Sequence, residues 1–517
     1  VSVRLPRVVV AAPASGHGKT TVATGIMAAL RRRGHVVSGH KVGPDYIDPG
    51  YHELATGRPG RNLDPFLVGE ERVAPLLVHG ARGGDVAVVE GVMGLYDGKL
   101  GGAGFASTAH VATVTSSPVI LVVDVSHASR SVAAVVHGMR TFDPTVRIVG
   151  VVLNKAGSHR HAQEVLDALA GRGVPVLGVI HRDDAVVAPA RHLGLVPVAE
   201  RYDAADSLDL LAERIEATVD LDQLLALARA APPLAAAPWD PATEVGPGPA
   251  GAPRPLVAVA GGRAFTFRYA ETEELLLAAG CDVATFDPLV EERLPAGTSA
   301  VYLGGGFPEV YAGRLSDNVG LRGELLDAVA SGMPTVAECA GLLYLCRTLD
   351  GRPMVGALAA DAAMTSRLTL GYREATVPAT HAAAHLAGPP GTPVRGHEFH
   401  RTAVTPDAGE HPAFLVGGRP SGFGSRTATA SYLHVHWAGH PMLAERFAAA
   451  AREFGRGIPA SSVLTSDTVG ATLVEEAGEN PAQSRYCDTS STVGDDHERV
   501  KPDPSQEVAQ HTGRTNP

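Results

Sequence analysis

The chain has 517 residues, too many for one ordinary hydrophobic core, so two or three domains are expected. Its formal net charge is −11, and its dense basic cluster, Arg31, Arg32 and Arg33, closes an expected helix where cations favour the dipole, so nucleic acid is not expected as a partner. Four irregularly spaced cysteines make neither a disulfide framework nor a zinc pattern, and apolar runs such as 118–125 have strand length rather than membrane length.

The first strand starts almost at residue 1, which leaves no room for a signal peptide, and the chain reads as cytoplasmic. Residues 8–22, VVVAAPASGHGKTTV, run from an apolar β-branched stretch through a loop of small residues into a helix-compatible segment. Such a strand, loop and helix suit a nucleoside triphosphate. Glycines let backbone N–H groups turn toward phosphate oxygens. Ser15, Gly16, Gly18, Lys19, Thr20 and Thr21 are the expected ATP-binding residues, with Lys19 on the terminal phosphates and the Thr20 hydroxyl on Mg2+. Pro13 stands where the strict pattern places a glycine. An ordinary glycine-rich turn is the alternative, but Gly-Lys-Thr-Thr between a strand and a helix favours the phosphate loop.

Residues 36–41 read as a second strand, which enters the loop KVGPDYIDPGYHELATG with Asp45, Tyr46 and Asp48. NLDPF at 62–66 reads as a polar loop containing Asp64. The strand at 86–89 ends in Glu90, where an acid commonly holds Mg2+ through water, and Asp97 follows in a glycine-rich turn. Any one of these acids could be a solvated loop residue or a helix cap. Several at successive strand ends converge in an open α/β sheet. Strands at 119–123, 148–153 and 176–180 follow, the first ending in Asp124 and the second in Asn154 and Lys155, with a helix at 161–170. This alternation predicts a doubly wound parallel sheet. Arg191 and His192, in an exposed basic loop at 189–197, could meet an anionic substrate. One amphipathic helix is expected at 207–229, then an Ala/Pro-rich linker at 230–254, extended and mobile by composition.

A second α/β unit is expected over 255–458, with strands at 256–260, at 283–289 and ahead of the glycines at 304–306. Cys339 lies between a strand and a helix, the geometry of a nucleophile elbow. The helix N-terminus is expected to lower its thiol pKa, while the Ala340 N–H and the loop bearing Gly305 and Gly306 offer oxyanion donors. His434, on a later strand, is the natural base, and Cys281 and Cys346 read as core residues. Beyond 458 the chain is polar and rich in Pro, Ser and acids, and disorder is expected there.

A cysteine, a glycine loop and a distant histidine on an α/β sheet resemble the class I glutamine amidotransferases. KVGPDYIDP, NLD, EGVMGLYDG, RHLGL, LGGGFPE, AECAG, RGHEFH and ASYLHVH, in this order over about 5–455, resemble the cobyrinic acid a,c-diamide synthase family, which includes hydrogenobyrinic acid enzymes of the aerobic cobalamin pathway. The resemblance implies a dethiobiotin-synthetase-like ATP-binding synthetase domain at 1–229 and a glutamine amidotransferase domain at 255–458. It implies ATP-dependent amidation of the a and c acetate groups of a corrinoid acid through acyl phosphates, with ammonia from L-glutamine. By resemblance Asp45, Tyr46, Asp48 and Asp97 border the substrate and metal. The partners implied are small molecules, with no membrane, and a homodimer is left open.

Three features depart from the pattern. Ala340 follows the nucleophile where glycine is usual, although its N–H remains. Gly262 and Arg263 stand where an acid often precedes Ala-Phe. His436 stands two residues after His434, where many triad amidotransferases carry glutamate; the family shares this, and the third member of the site stays open. Cobyric acid synthase and nickel-sirohydrochlorin a,c-diamide synthase are the neighbouring alternatives. A ParA-like positioning ATPase, from another class, would have no need of Cys339 and His434.

Overall fold

Apolar runs of five or six residues without polar alternation make strands buried on both faces. In the computed structural model seven strands form one parallel sheet: β1 (Arg7–Ala11), β2 (Val37–Val42), β3 (Arg61–Leu63), β4 (Val86–Glu90), β5 (Val119–Asp124), β6 (Ile148–Ala156) and β7 (Val176–His181), in the order β3-β2-β4-β1-β5-β6-β7, with runs of this kind supplying its centre at β4, β1 and β5. The structure describes residues 2–182, 190–191, 194–195, 198, 204–246, 248, 251–379 and 386–457. The expected tail, the His192 position and the Arg191 side chain lie outside them. Helix α1 (Lys19–Arg32) leaves the end of β1, and α2 (Asp48–Thr56) leaves the loop after β2. The chain reverses direction across the sheet at β1, whose neighbours are β4 and β5, so the carboxyl ends of these strands open a crevice there.

The second half holds β8 (Leu256–Ala260), β9 (Asp282–Phe286), β10 (Thr298–Leu303), β11 (Thr335–Glu338), β12 (Asp361–Thr376), β13 (Pro393–Thr405), β14 (Phe423–Gly424), β15 (Ala428–Ser431) and β16 (His434–Val435). One sheet runs β9-β8-β10-β11-β15-β14, parallel except for its last pair. The long antiparallel pair β12–β13 belongs to a further sheet, which the residue pattern does not mark. Its register sets His397 opposite Tyr372 on one side and opposite His434 on the other.

One buried apolar cluster runs through both halves, taking in Val9, Tyr46 and Phe66 from the first and Tyr302, Trp437 and Phe447 from the second. Polar contacts fix the same junction. Arg61 pairs with Glu271 at 2.7 Å and Glu274 at 2.5 Å, His79 lies 2.9 Å from Glu274, and the Tyr372 hydroxyl donates to Asp64 at 2.7 Å.

Three local expectations change. Residues 61–63 are a strand rather than a loop, and Asp64 caps the short helix Pro65–Val68 by accepting from the Phe66 and Leu67 N–H groups. The stretch 207–229 is two helices, Ala204–Thr218 and Leu221–Arg229, because Val219 bridges to Gly178 and Asp220 caps the second helix through the Gln223 N–H. The Ala/Pro-rich stretch is not wholly extended: it carries the helix Pro241–Val245, Leu234 exchanges backbone bonds with Val3, and Trp239 is buried edge-on against His79. No helix among the described residues is long and apolar enough to cross a membrane.

Candidate functional site

The phosphate loop occupies residues 12–18 between β1 and α1. Gly18 is fixed by two demands: its φ is +89°, and a Cβ there would fall 2.3 Å from Asn154 Nδ2. The neighbouring strand ends brace the loop. Asn154 donates to the His17 carbonyl at 2.9 Å, and the Lys155 ammonium donates to the Gly16 carbonyl and to Asp124 at 2.7 Å each. The sequence marks these residues as strand ends; their grip on the loop is visible only in the fold. A cavity of about 720 Å³ opens here, lined by Ser15, Gly16, Gly18, Lys19, Thr20 and Thr21, with Asp45, Asp48 and Glu90 facing them. A space of this size with a glycine loop at a helix N-terminus accommodates a nucleoside triphosphate.

Beside Lys19 lies a compact charged group. The Thr20 hydroxyl donates to Glu90 at 2.5 Å and to Asp48 at 3.3 Å. The Lys41 ammonium, buried, contacts Asp48 closely and Glu90 at 2.7 Å, and His52 lies 2.7 Å from the other Glu90 oxygen. Burial works against the charge on Lys41, but Asp48 and Glu90 outweigh it and hold the ammonium well above the ordinary lysine range. Burial likewise penalises Glu90, yet Lys41 and His52 keep it below the ordinary carboxylate range. Burial, together with Asp45 and Glu90, pushes Asp48 up. Burial and the charge of Lys41 bring Lys19 down to about 8. Among the described residues no group of three or more His, Cys, Asp or Glu could hold a metal ion alone. The donors that do converge are hard oxygens, a hydroxyl and two carboxylates already gathered round one cation, the ammonium of Lys41. That set fits Mg2+, which keeps several waters and takes phosphate oxygens beside one or two carboxylates.

In the second half Cys339 forms the turn between β11 and the helix Ala340–Leu345, with φ +47° and ψ −93°. Such a conformation costs a non-glycine residue about 1–3 kcal/mol and persists where the surrounding packing imposes it. The thiol does not behave as the helix end alone would suggest. Burial, then Glu309, Glu338 and Glu398, push it well up, against the Ala340 N–H bond that favours the thiolate. His434 is buried too, and burial with His397 and His400 nearby push its pKa well down, which leaves a neutral imidazole able to accept a proton. Glu338, next to the cysteine, is the carboxyl facing His434, 3.9 Å from Nδ1, and accepts from the Tyr302 hydroxyl at 3.1 Å. Burial raises Glu338 to about 8.

Of the expected oxyanion donors, Gly305 is corrected: its N–H is committed to the Phe267 carbonyl at 3.0 Å. Its lack of a side chain serves another purpose. A Cβ there would stand 2.4 Å from His434 Cε1, so glycine makes room for the imidazole. Gly306 follows it against the Ala264 backbone, where a Cβ would be 2.0 Å from the carbonyl oxygen. His436 takes no triad role in this arrangement: its ring stacks on Tyr269 at 4.0 Å and lies 3.7 Å from Glu271, at the junction.

Tyr46 is the largest departure from expectation. It is only 8% exposed and, rather than bordering the phosphate cavity, its ring enters the second half. It stacks on Phe267 at 5.1 Å and lies 4.9 Å from the rings of His397 and His434. Its hydroxyl lies 2.6 Å from His397 Nε2 and 2.9 Å from the Tyr269 hydroxyl, which donates to it. No linear signal marks this pairing, because 388 positions separate Tyr46 and His434 in the sequence (434 − 46). Asp97 is exposed in its turn, where it accepts from the Gly94 N–H at 3.0 Å.

Comparison with known proteins adds two kinds of match. Residues 8–196 match the CobQ/CobB/MinD/ParA nucleotide binding domain, and residues 257–442 match the CobB/CobQ-like glutamine amidotransferase domain. A hydrogenobyrinate a,c-diamide synthase of Thermobifida fusca is 60% identical over 463 residues, covering 86% of this chain and 97% of that protein. One from Streptomyces coelicolor is 55% identical with the same coverage, and a cobyrinate a,c-diamide synthase of Dehalococcoides mccartyi is 39% identical over 87% of this chain and 99% of its own length.

Proposed function

The chain belongs to the family of hydrogenobyrinate and cobyrinate a,c-diamide synthases, and on that premise we propose that it converts the a and c acetate carboxylates of hydrogenobyrinic or cobyrinic acid to amides, using ATP and glutamine. The observation that carries this reading is the coexistence of a phosphate-loop cavity and a cysteine elbow with a neutral histidine in one fold.

A carboxylate resists attack by ammonia at neutral pH, and phosphorylation supplies it with a good leaving group. The first half, 1–229, would do this. Gly16, Gly18 and Lys19 cradle the phosphates, and Ser15 and Thr21 flank them. Thr20 with Asp48 and Glu90 would hold Mg2+, which when bound neutralises phosphate charge. Lys41 keeps the two carboxylates together. Asp45 orders the loop by accepting from the Ile47 and Asp48 N–H groups, and the exposed Asp97 stands at the rim, where a corrinoid would approach.

The second half, 255–458, would hydrolyse glutamine. His434 takes the proton of Cys339 as sulfur attacks the side-chain amide, the Gly306 and Ala340 N–H groups receive the developing oxyanion, and His434 returns the proton to the departing ammonia. A neutral thiol beside a neutral imidazole suits a site that ionises only as the bond forms. Glu338 is the carboxyl that faces His434, 3.9 Å from Nδ1 and short of a hydrogen bond in this arrangement.

The test separates the two halves. Cys339→Ser is expected to lose glutamine-dependent diamide formation by about 10³-fold or more, while ammonium chloride at alkaline pH still supports it. Diamide yield by mass spectrometry, from both nitrogen sources, is the measurement. Normal glutamine use by this variant, or loss of both sources in a folded protein, would sink the reading.

A further inference from the structure

The loop at 91–106 runs from the phosphate cavity to the junction of the halves. At its start Met93 lines the cavity, and the Leu95 N–H donates to the Ala12 carbonyl of the phosphate loop at 2.8 Å. Past Asp97, the Lys99 ammonium lies 4.8 Å from the centre of the Phe66 ring and 3.3 Å from Glu374 on β12. Glu374 stands opposite Arg395 of β13 in the register, and the Arg395 guanidinium lies over the same Phe66 ring at 5.8 Å. Two cations therefore share one aromatic ring and one carboxylate. Among the described residues no carboxylate pairs with the Arg395 guanidinium.

The same loop offers apolar surface. Leu100 is 98% exposed and Met93 43%. Slack backbone does not account for this. The Lys99 N–H donates to the Phe105 carbonyl at 2.8 Å, and the Gly102 N–H donates to the Lys99 carbonyl at 2.9 Å. Met93 holds φ +47°, a conformation that persists in a non-glycine residue only where its surroundings impose it. A single exposed leucine is ordinary on a protein surface. Here it adjoins an incompletely balanced pair of cations, on a braced loop that begins in the phosphate cavity. A ligand that suits all of these has an apolar body and an anionic edge.

A corrinoid acid has that form: a flat apolar macrocycle whose peripheral carboxylates are ionised at neutral pH. We propose that Met93, Lys99, Leu100 and Arg395 form the seat of the corrinoid acid. Met93 and Leu100 lie against the macrocycle, while Lys99 and Arg395 hold carboxylates that are not being amidated, so that an acetate on the near edge enters the phosphate cavity. The seat rests on the reading of the chain as a corrinoid-amidating enzyme.

The experiment titrates the full chain with hydrogenobyrinic acid and with cobyrinic acid, followed by their visible absorbance, with Mg2+ and a non-hydrolysable ATP analogue present, at low and high salt. Lys99→Ala and Arg395→Ala are each expected to weaken corrinoid binding about tenfold and to lose part of the salt dependence of the wild type. Lys99→Arg keeps the charge and is expected to bind within about threefold of the wild type. Leu100→Ala removes only apolar surface and is expected to weaken binding about fivefold with the salt dependence intact. Affinity for the ATP analogue, measured on the same proteins, is expected to stay within about twofold throughout. Unchanged corrinoid affinity in folded Lys99→Ala and Arg395→Ala overturns the seat. So does an equal loss of corrinoid and analogue binding with a lowered melting temperature, since the two cations would then serve only to hold the junction. A wild type that takes the analogue but neither corrinoid acid discredits the corrinoid reading itself, and the seat with it.

Discussion

The phosphate-loop site and the thiol site are built on opposite plans. The first is open, charged and largely continuous in sequence: seven consecutive residues, 15–21, supply six of its lining groups, and ammonium and carboxylate charges compensate one another around Thr20. The second is closed and neutral. Its cysteine is 4% exposed and its histidine 1%, and its parts come from β11, the Gly304–Gly306 turn, β16 and, through Tyr46, the other half. The contrast follows from chemistry. Phosphates are bound by backbone N–H groups, which one short loop can supply, while a thiol and an imidazole must be kept dry and aligned, which needs walls from several elements.

If the two plans are independent machines sharing ammonia, removing charge from the first should spare the chemistry of the second. Lys19→Ala is expected to lower diamide formation from either nitrogen source by about 10³-fold, because terminal phosphate charge loses its main partner. Glutaminase activity in the absence of ATP should remain. Diamide formation at the wild-type rate would remove Lys19 from the phosphate site.

The converse change tests how finely the closed site is fitted. Gly305→Ala drives a methyl group into the space of the His434 ring, and a shift of an ångström there should cost about 10²-fold in glutamine hydrolysis. Ammonium-supported synthesis should be unaffected, and equal loss of both would show that the half has unfolded instead.

A smaller effect is expected at the junction. Burial penalises the Glu274 carboxylate, but His79 and Arg61 outweigh it and hold its pKa at about 2, against an ordinary 4.5. A depressed pKa contributes stability that is present above pH 4.5 and lost as pH falls toward 2. Glu274→Gln should therefore lower unfolding stability at pH 7 by about 1–2 kcal/mol, after allowance for its partial exposure. In urea titrations the gap from the wild type should narrow steadily below pH 4.5. A gap that widens on acidification would contradict the assigned ion pair.

The smallest effect belongs to Cys346. It is fully buried, its thiol donates to the Leu342 carbonyl at 3.3 Å, and it lies in a separate apolar cluster. Cys346→Ser is expected to leave hydrolysis and synthesis within about twofold of wild type, because the hydroxyl can take over the bond to Leu342. A large loss of activity would mean that Cys339 is not the only thiol that matters.

The sequence by itself determined the parts whose physics is local. Gly18-Lys19-Thr20 after an apolar strand can turn only one way toward phosphates, and a cysteine between Glu338 and Ala340 at a strand end must sit on an elbow. Periodicity and short apolar runs sufficed for the parallel sheet, since a strand buried on both faces needs no partner to be recognised. Tertiary structure alone decided the rest. The thiol's pKa follows burial and three carboxylates rather than the helix end that the sequence displays. Gly305 serves by leaving room for His434, and its N–H belongs to Phe267, which no reading of a glycine loop could assign. Tyr46 sits in a motif that reads as substrate-binding, and its place beside His434 is fixed by packing between halves 388 positions apart (434 − 46). Local conformation is written in neighbouring residues, whereas desolvation and contact at a junction depend on which surfaces meet.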